Sequence, residues 1–302
     1  VTGRVAQQQC VGEIQLPLSN CGVIALDFKG KQGIATSIGH APVSALIDPA
    51  KGSVNSITEA LTNIVWAPLE EGLKSVSLSA NWMWPCNNPG EDARLYKAVE
   101  ACADFAIALG INIPTGKDSL SMKQKYPDGD VIAPGTVIIS AAGQCSDIQN
   151  VVTPPAKANG GLIYYLDFSQ DEFHLGGSSF AQNLNAIGTE TPTVLSASYF
   201  KTAFDELQNL IKKGAIQSGH DIGSGGLITS LLEMCFPSKA IGMTLDFSCF
   251  EEKDLVKILF SEKPAVILQS HQDLSSHFEK YGITTIKLGE VNTSGILKIN
   301  EL

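Results

Sequence analysis

The chain has 302 residues, 44% of them hydrophobic and 17% charged. That is enough apolar material for a sizeable core and more length than one ordinary domain uses, so two domains are expected and a disordered tail or coiled coil is excluded. Its 21 basic and 31 acidic residues give a formal charge of −10 with no Lys/Arg cluster, which argues against a nucleic-acid footprint but not against a small anionic ligand. The longest apolar runs, at 136–143 and 227–236, fall short of the roughly 18 to 20 residues of a bilayer crossing, so no membrane span is expected. The cysteines Cys10, Cys21, Cys86, Cys102, Cys145, Cys235 and Cys249 are odd in number and irregularly spaced, with no C-x-x-C pair. Reduced thiols in the cytoplasm are the expectation, not a disulfide framework or a zinc site. The chain opens at Val1 with no visible targeting segment, which reads as a cut inside a longer polypeptide.

In chain order, the first half mixes strand-like segments at 22–28, 75–80 and 137–142 with two helices. A short helix around 56–66 carries Ile57, Leu61, Ile64 and Val65. A longer one begins near Gly90 and shows a 3.6-period stripe through Leu95, Ala98, Val99, Cys102, Phe105, Ala106 and Leu109 before Gly110 stops it. Glu91 and Asp92 suit its positive start. Periodicity is lost over 146–161, where Pro154-Pro155 and Gly160-Gly161 punctuate the chain, and the domains are placed at 1–153 and 158–302. The second half reads as strand 162–167, amphipathic helix 203–213, strand 216–220, an apolar helix after Gly226, strands 243–247 and 265–268, helix 271–281, and strands 284–288 and 296–299. The fold class is α+β in two domains.

Glu59 and Asn63 stand at i and i+4, so one helical face presents two side-chain oxygens, a natural way to hold Mg²⁺ beside phosphates; an ordinary surface contact is the plain alternative. The stretch His220-Asp221-Ile222-Gly223-Ser224-Gly225-Gly226 follows a strand and opens a helix. Its N–H groups suit an anion and Asp221 suits a cation, although a tight turn also needs such glycines. Glycine-rich 175–179 and 33–39, the latter followed by His40-Ala41-Pro42, are similar, but none matches a P-loop or G-x-G-x-x-G, so ATP would require another fold. Lys117 suits a phosphate and Asp118 its orientation, against a loop salt bridge. Trp82 and Trp84 suit either base stacking or core packing. With no G-x-S-x-G or H-E-x-x-H, nucleophilic catalysis has no support. His271 and His277 read as surface residues, while His40 and His220 stay candidates through their glycine-rich neighbours.

Taken together, ITEALTNI, LSANWMWPCNNPGEDARLYKAVEA, INIPTGKDSLSMK and HDIGSGGLITSLLEMCF resemble phosphoribosylformylglycinamidine synthase (FGAM synthetase) of the large multidomain type, in order and over nearly the whole chain. That family joins two copies of a two-domain unit, shared with aminoimidazole ribonucleotide synthetase, to a glutaminase domain, and this chain resembles the second copy. The resemblance implies an ATP-dependent C–N ligase of purine synthesis with glutamine as amido donor, ATP or ADP and Mg²⁺ as cofactors, and the rest of the parent chain as partner. It implies metal positions at Asn20, Glu59, Asn63 and Asp221 and nucleotide contacts at Ser19 and Gly223, joined by Lys117 and Asp118 as cofactor-binding candidates. Where many relatives read HDxSDGGL this chain reads HDIGSGGL, and Asn20 stands where an Asp is expected, so Mg²⁺ should be held mainly through nucleotide phosphates. The second copy is expected to hold nucleotide structurally and to be inactive alone, and two fragments can form a homodimer through 1–153. The alternatives are a free-standing ATP-using synthetase or kinase of the superfamily, and a non-catalytic nucleotide-binding scaffold. Catalytic residues are not assignable, and no glutaminase Cys/His machinery is identifiable.

Overall fold

The computed structural model describes residues 2–300. The first half contributes β1 (Val5–Gln7), β2 (Cys10–Val11), β3 (Leu16–Pro17), β4 (Gly22–Ala25), β5 (Gly33–His40), α1 (Pro42–Ile47), α2 (Pro49–Ile64), β6 (Val76–Met83), α3 (Glu91–Leu109), β7 (Asn112–Ser119), β8 (Lys123–Tyr126), β9 (Gly129–Ile132) and β10 (Thr136–Cys145). The second half adds β11 (Leu162–Asp167), α4 (Ser179–Asn183), α5 (Ala197–Lys212), β12 (Ser218–Asp221), α6 (Gly226–Cys235), β13 (Gly242–Leu245), α7 (Leu255–Phe260), β14 (Ala265–Ser270), α8 (Ser275–Glu279), β15 (Thr285–Asn292) and β16 (Leu297–Ile299). The protein is thus α+β with one six-stranded sheet in each half.

The first sheet runs β1-β4-β5-β10-β6-β7, antiparallel except for the β6/β7 pair. Its inner strands alternate, most regularly β5, where Ala35 and Ser37 are buried while Ile34, Thr36, Ile38 and His40 are exposed. The buried row, continued by Leu78, Ala80, Ile139 and Ala141, packs against Ile57, Leu61 and Ile64 of α2 and Cys102 and Phe105 of α3. Gly39 sets how closely: a Cβ there would collide with the Ala60 nitrogen and the Ser56 carbonyl, so α2 lies directly on the β5 backbone. That contact carries Glu59 to the end of β5.

Helix α2 is longer than the 56–66 stretch. It starts at Pro49, where the Asp48 side chain accepts hydrogen bonds from Ala50 N and Lys51 N and proline fits the first helical position. Its polar first turns hide it from a search for apolar periodicity.

The second sheet runs β12-β14-β11-β15-β13-β16, antiparallel except for β13/β16. Every residue of β12 and β14 is buried, as expected of strands covered on both faces. One cover is α5, whose Phe200 lies 6.0 Å from Phe105 of α3 and 5.1 Å from Phe168 between ring centroids. A single core therefore runs through both halves. Gln208 of α5 locks it, donating to Val65 O and Ala67 O and accepting from Leu69 N at 2.8 Å.

Two further helices differ from the periodicity reading. Helix α5 starts at Ala197 because Ser196 caps Tyr199 N, and the 271–281 helix shrinks to α8, whose start is delayed by the Asp273 side chain accepting from Ser275 N. The hairpin β8–β9 is exposed at every residue and is stapled by the Lys123–Asp130 ion pair at 2.9 Å. Trp84 is buried with Trp82 tilted against it, so this pair is core packing and offers no base-stacking platform. No described helix is long and apolar enough to cross a membrane.

Candidate functional site

On the open face of the first sheet lies a cavity of about 760 Å³ lined by Ser19, Asn20, His40, Glu59 and Asn63 among others. Asn63 is buried, and its Nδ2 donates to the Ile38 carbonyl at 2.8 Å. This bond fixes the amide and leaves Oδ1 buried with no hydrogen-bond partner. Such an orphaned acceptor costs about 1 to 3 kcal/mol unless something outside the chain satisfies it. One turn earlier, Glu59 Oε2 accepts from His40 N at 2.6 Å. Burial, partly offset by that bond and reinforced by the nearby charges of Asp221 and Glu262, pushes the Glu59 carboxyl up to about 7.

Asp221 is set back from the cavity wall. Its Oδ2 accepts from Asn20 Nδ2 at 3.0 Å and its Oδ1 faces His220 Nδ1 at 3.3 Å. The other ring nitrogen of His220 lies 2.8 Å from Glu233 Oε2. Burial works against charge on His220, but the Coulombic pull of Asp221 and hydrogen bonds to Asp221 and Glu233 outweigh it and raise its pKa to about 9. His220 thus sits buried between two carboxylates, and Asp221 bridges it to Asn20.

Glu59 also lines a second, narrower cleft of about 270 Å³ between the halves, together with Asn55, Ser179, Gly223, Ser224 and Glu262. The structure therefore gathers Ser19, Asn20, Glu59, Asn63, Asp221 and Gly223 around two adjoining spaces. Lys117 and Asp118 are not among them. They sit on the exposed edge strand β7, where Lys117 Nζ donates to Ser119 Oγ at 2.6 Å.

The family model described as FGAR-AT PurM_N-like domain matches residues 1–144, and that described as AIR synthase related protein, C-terminal domain, matches residues 160–300. Phosphoribosylformylglycinamidine synthase of Homo sapiens is 38% identical over 301 residues, which is 98% of this chain and 22% of the human protein. End to end, the chain is similar to one segment of the phosphoribosylformylglycinamidine synthases. It spans about a fifth of the length of that relative. Among solved structures, Thermotoga maritima PurL complexed with FGAR aligns with a TM-score of 0.70 at 17% identity, over 94% of this chain and 46% of that one. The same protein complexed with ATP gives 0.66 at 15% identity, over 97% and 46%. At these identities the structures establish the shared fold.

The donor set suits the Mg²⁺ of the synthase resemblance. Glu59, the free Asn63 Oδ1, Asn20 and Asp221 are all oxygen donors, the chemistry a hard cation prefers. Yet among the described residues no group of three His, Cys, Asp or Glu is arranged to hold a metal alone. Two of the four donors are neutral amides, so a bound cation would need further oxygens from its ligand.

Sequence reasoning missed two carboxylates. Glu233 is the one charged residue of α6, and a lone acid in an apolar helix is a legible sign of a buried partner. Glu262 lies in the loop between α7 and β14 with no motif around it. It becomes visible only when the sheet order sets β14 beside β12.

Proposed function

We propose that the chain is the second synthetase-like repeat of a phosphoribosylformylglycinamidine synthase and that its Asn20, Glu59, Asn63 and Asp221 cluster holds a Mg²⁺-loaded ATP or ADP. The observation that carries this reading is the buried, partnerless Oδ1 of Asn63, one turn from a Glu59 carboxyl raised to about 7, on the wall of a cavity of about 760 Å³. An unmet acceptor beside an overcrowded set of acids is what a bound cation would relieve. The ATP complex of the similar T. maritima protein supports nucleotide as the ligand, and its FGAR complex supports the purine pathway.

In the parent reaction ATP phosphorylates the amide oxygen of FGAR, and ammonia released from glutamine displaces phosphate to give the amidine, ADP and inorganic phosphate. A bound Mg²⁺ would supply neutralisation of the nucleotide's phosphates. In this chain, Glu59 and Asn63 would provide oxygens from α2, Asn20 would be held in place by Asp221, and His220 would orient the Asp221 carboxylate. Ser19 and Gly223 are the proposed nucleotide contacts at the two ends of the site. Lys117 and Asp118, standing apart on β7, would reach only a nucleotide held by a neighbouring subunit or domain. The glutaminase and the first repeat belong to the remaining parent chain, so the fragment should be inactive alone in its proposed cytoplasmic setting.

Calorimetric titration with ADP and Mg²⁺ tests the reading. Saturable binding should weaken at least about tenfold in Glu59→Gln and again in Asn63→Ala, since each removes one charged or buried partner of the ligand. Unchanged affinity in both variants would refute the site. FGAM formation from FGAR, ATP and ammonia by the chain alone would refute the inactive-half assignment.

A further inference from the structure

Two glycine-rich turns in the cleft between the halves look made for an anion, yet each already holds one. The backbone N–H of Ser179, at the start of α4, and of Gly225, just before α6, both donate to the same oxygen, Oε1 of Glu262, at 2.7 and 2.8 Å. The convergence is built in from several sides. Gly226 has φ +74, and a Cβ there would meet Leu259 O at 2.6 Å, so the 223–226 turn lies on the segment leading to Glu262. Ser261 Oγ donates to the His174 carbonyl at 2.7 Å and ties the same segment to the other turn. The adjacent cation, Lys263, is turned away to pair with Asp167 at 3.3 Å, so two N–H groups rather than a cation face Glu262.

Neither turn alone is a ligand site. Joined by Glu262 they form one seat, and its occupant is a carboxylate of the chain. Gly177, Ser179, Gly223 and Ser224 line the cleft on either side of that carboxylate, and Glu59 faces it, so the space left for a ligand is rimmed by acid. A phosphate entering here would have to displace Glu262 from both N–H groups or sit beside two carboxylates, and each alternative is costly. We propose that Glu262 is the specificity-determining residue of this cleft: it fills the anion seat between the two turns and so makes the cleft refuse a free phosphate. The cleft shares Glu59 and Gly223 with the proposed Mg²⁺-nucleotide site, but Glu262 and the Ser179 and Gly225 N–H groups belong to the cleft alone, and free phosphate without a divalent cation tests them apart from that site.

The test follows the amide signals of Ser179 and Gly225 by NMR in the whole chain titrated with inorganic phosphate and no divalent cation. In wild type both should stay still to tens of millimolar. In Glu262→Ala the seat is vacated, and both signals should shift saturably with a gain in phosphate affinity of about tenfold or more. In Glu262→Gln the amide oxygen still accepts both bonds, so the seat stays filled and the signals should stay still although the charge is gone. Saturable shifts in wild type overturn the proposal, as does a folded Glu262→Ala that gains nothing. A Glu262→Gln that binds like Glu262→Ala also overturns it, because charge and not occupancy would then decide. If Glu262→Ala does not fold, wild type and Glu262→Gln decide between them: stillness in both upholds the filled seat, and a shift in either overturns it.

Discussion

The two sheets of this molecule are finished to different degrees. In the second, β12 and β14 are buried at every position, and helices from both halves cover their side chains. In the first, the face toward α2 and α3 is equally dry, but the opposite face is open. That open face carries Thr36, Ser77, Ser79 and Ser140, and beside them a row in register, Val5, Ile24 and Ile34, with Val5 44% and Ile34 45% exposed. The contrast teaches where stability and function reside. The shared core is closed by its own side chains, whereas the open face holds an unmet oxygen, a protonatable Glu59 and an exposed apolar strip.

The sharpest way to break the comparison is to damage the dry side. Phe200 is fully buried against Phe105, Phe168 and Phe204, one helix joining both halves. Phe200→Ala should cost about 3 to 5 kcal/mol in urea unfolding, through lost burial and the cavity left behind. A loss below about 1 kcal/mol would mean that the two halves do not share a core, since a site that collapses so easily is not close-packed.

Much of the dry side was legible in the sequence because it obeys simple periods. The α3 stripe ending at Gly110 and the run that becomes β11 follow from apolar spacing. The first turns of α2 did not, because Asp48 and Pro49 start that helix by capping and by a preset backbone angle rather than by hydrophobicity. The site was partly legible for the same reason: Glu59 and Asn63 share a helix face, a local relation. That Asp221 holds the Asn20 amide, 201 positions away, is a tertiary relation that spacing cannot express. Nor can it show that the 220–226 turn is filled by Glu262.

A second experiment reverses the sign. The Glu59 carboxyl is raised from 4.5 to about 7 in the fold, so the unfolded chain gives up this proton first as pH rises. Its contribution to stability is therefore complete below about pH 4.5 and is lost as pH climbs to about 7, a cost on the order of 3 kcal/mol above that. Glu59→Gln keeps an acceptor for His40 N without the charge. It should match wild type near pH 4 and be more stable above pH 7 by about 2 to 3 kcal/mol, with thermal unfolding across that range as the measurement. A variant less stable than wild type at pH 8 would show that Glu59 is structural and that the open face stores no cost for a ligand to relieve.

The smallest expected change in stability carries the clearest statement about the open face. Ile34 points away from the core, pairs with Ile24 across β4, and does not line the cavity around Asn63. Ile34→Glu should therefore shift the unfolding free energy of the subunit by no more than about 0.5 kcal/mol. What it should change is association. If two copies of the chain cover their open faces about a twofold axis through residues 1–153, burying roughly 1,200 Å² or more, an acid in the apolar strip faces the strip of the other copy and must be desolvated to stay there. Sedimentation at micromolar concentration should then give a wild-type particle of twice 32.1 kDa and an Ile34→Glu particle of 32.1 kDa. A wild type that sediments as a monomer throughout would show that the apolar strip is too weak a surface for a second copy to hold.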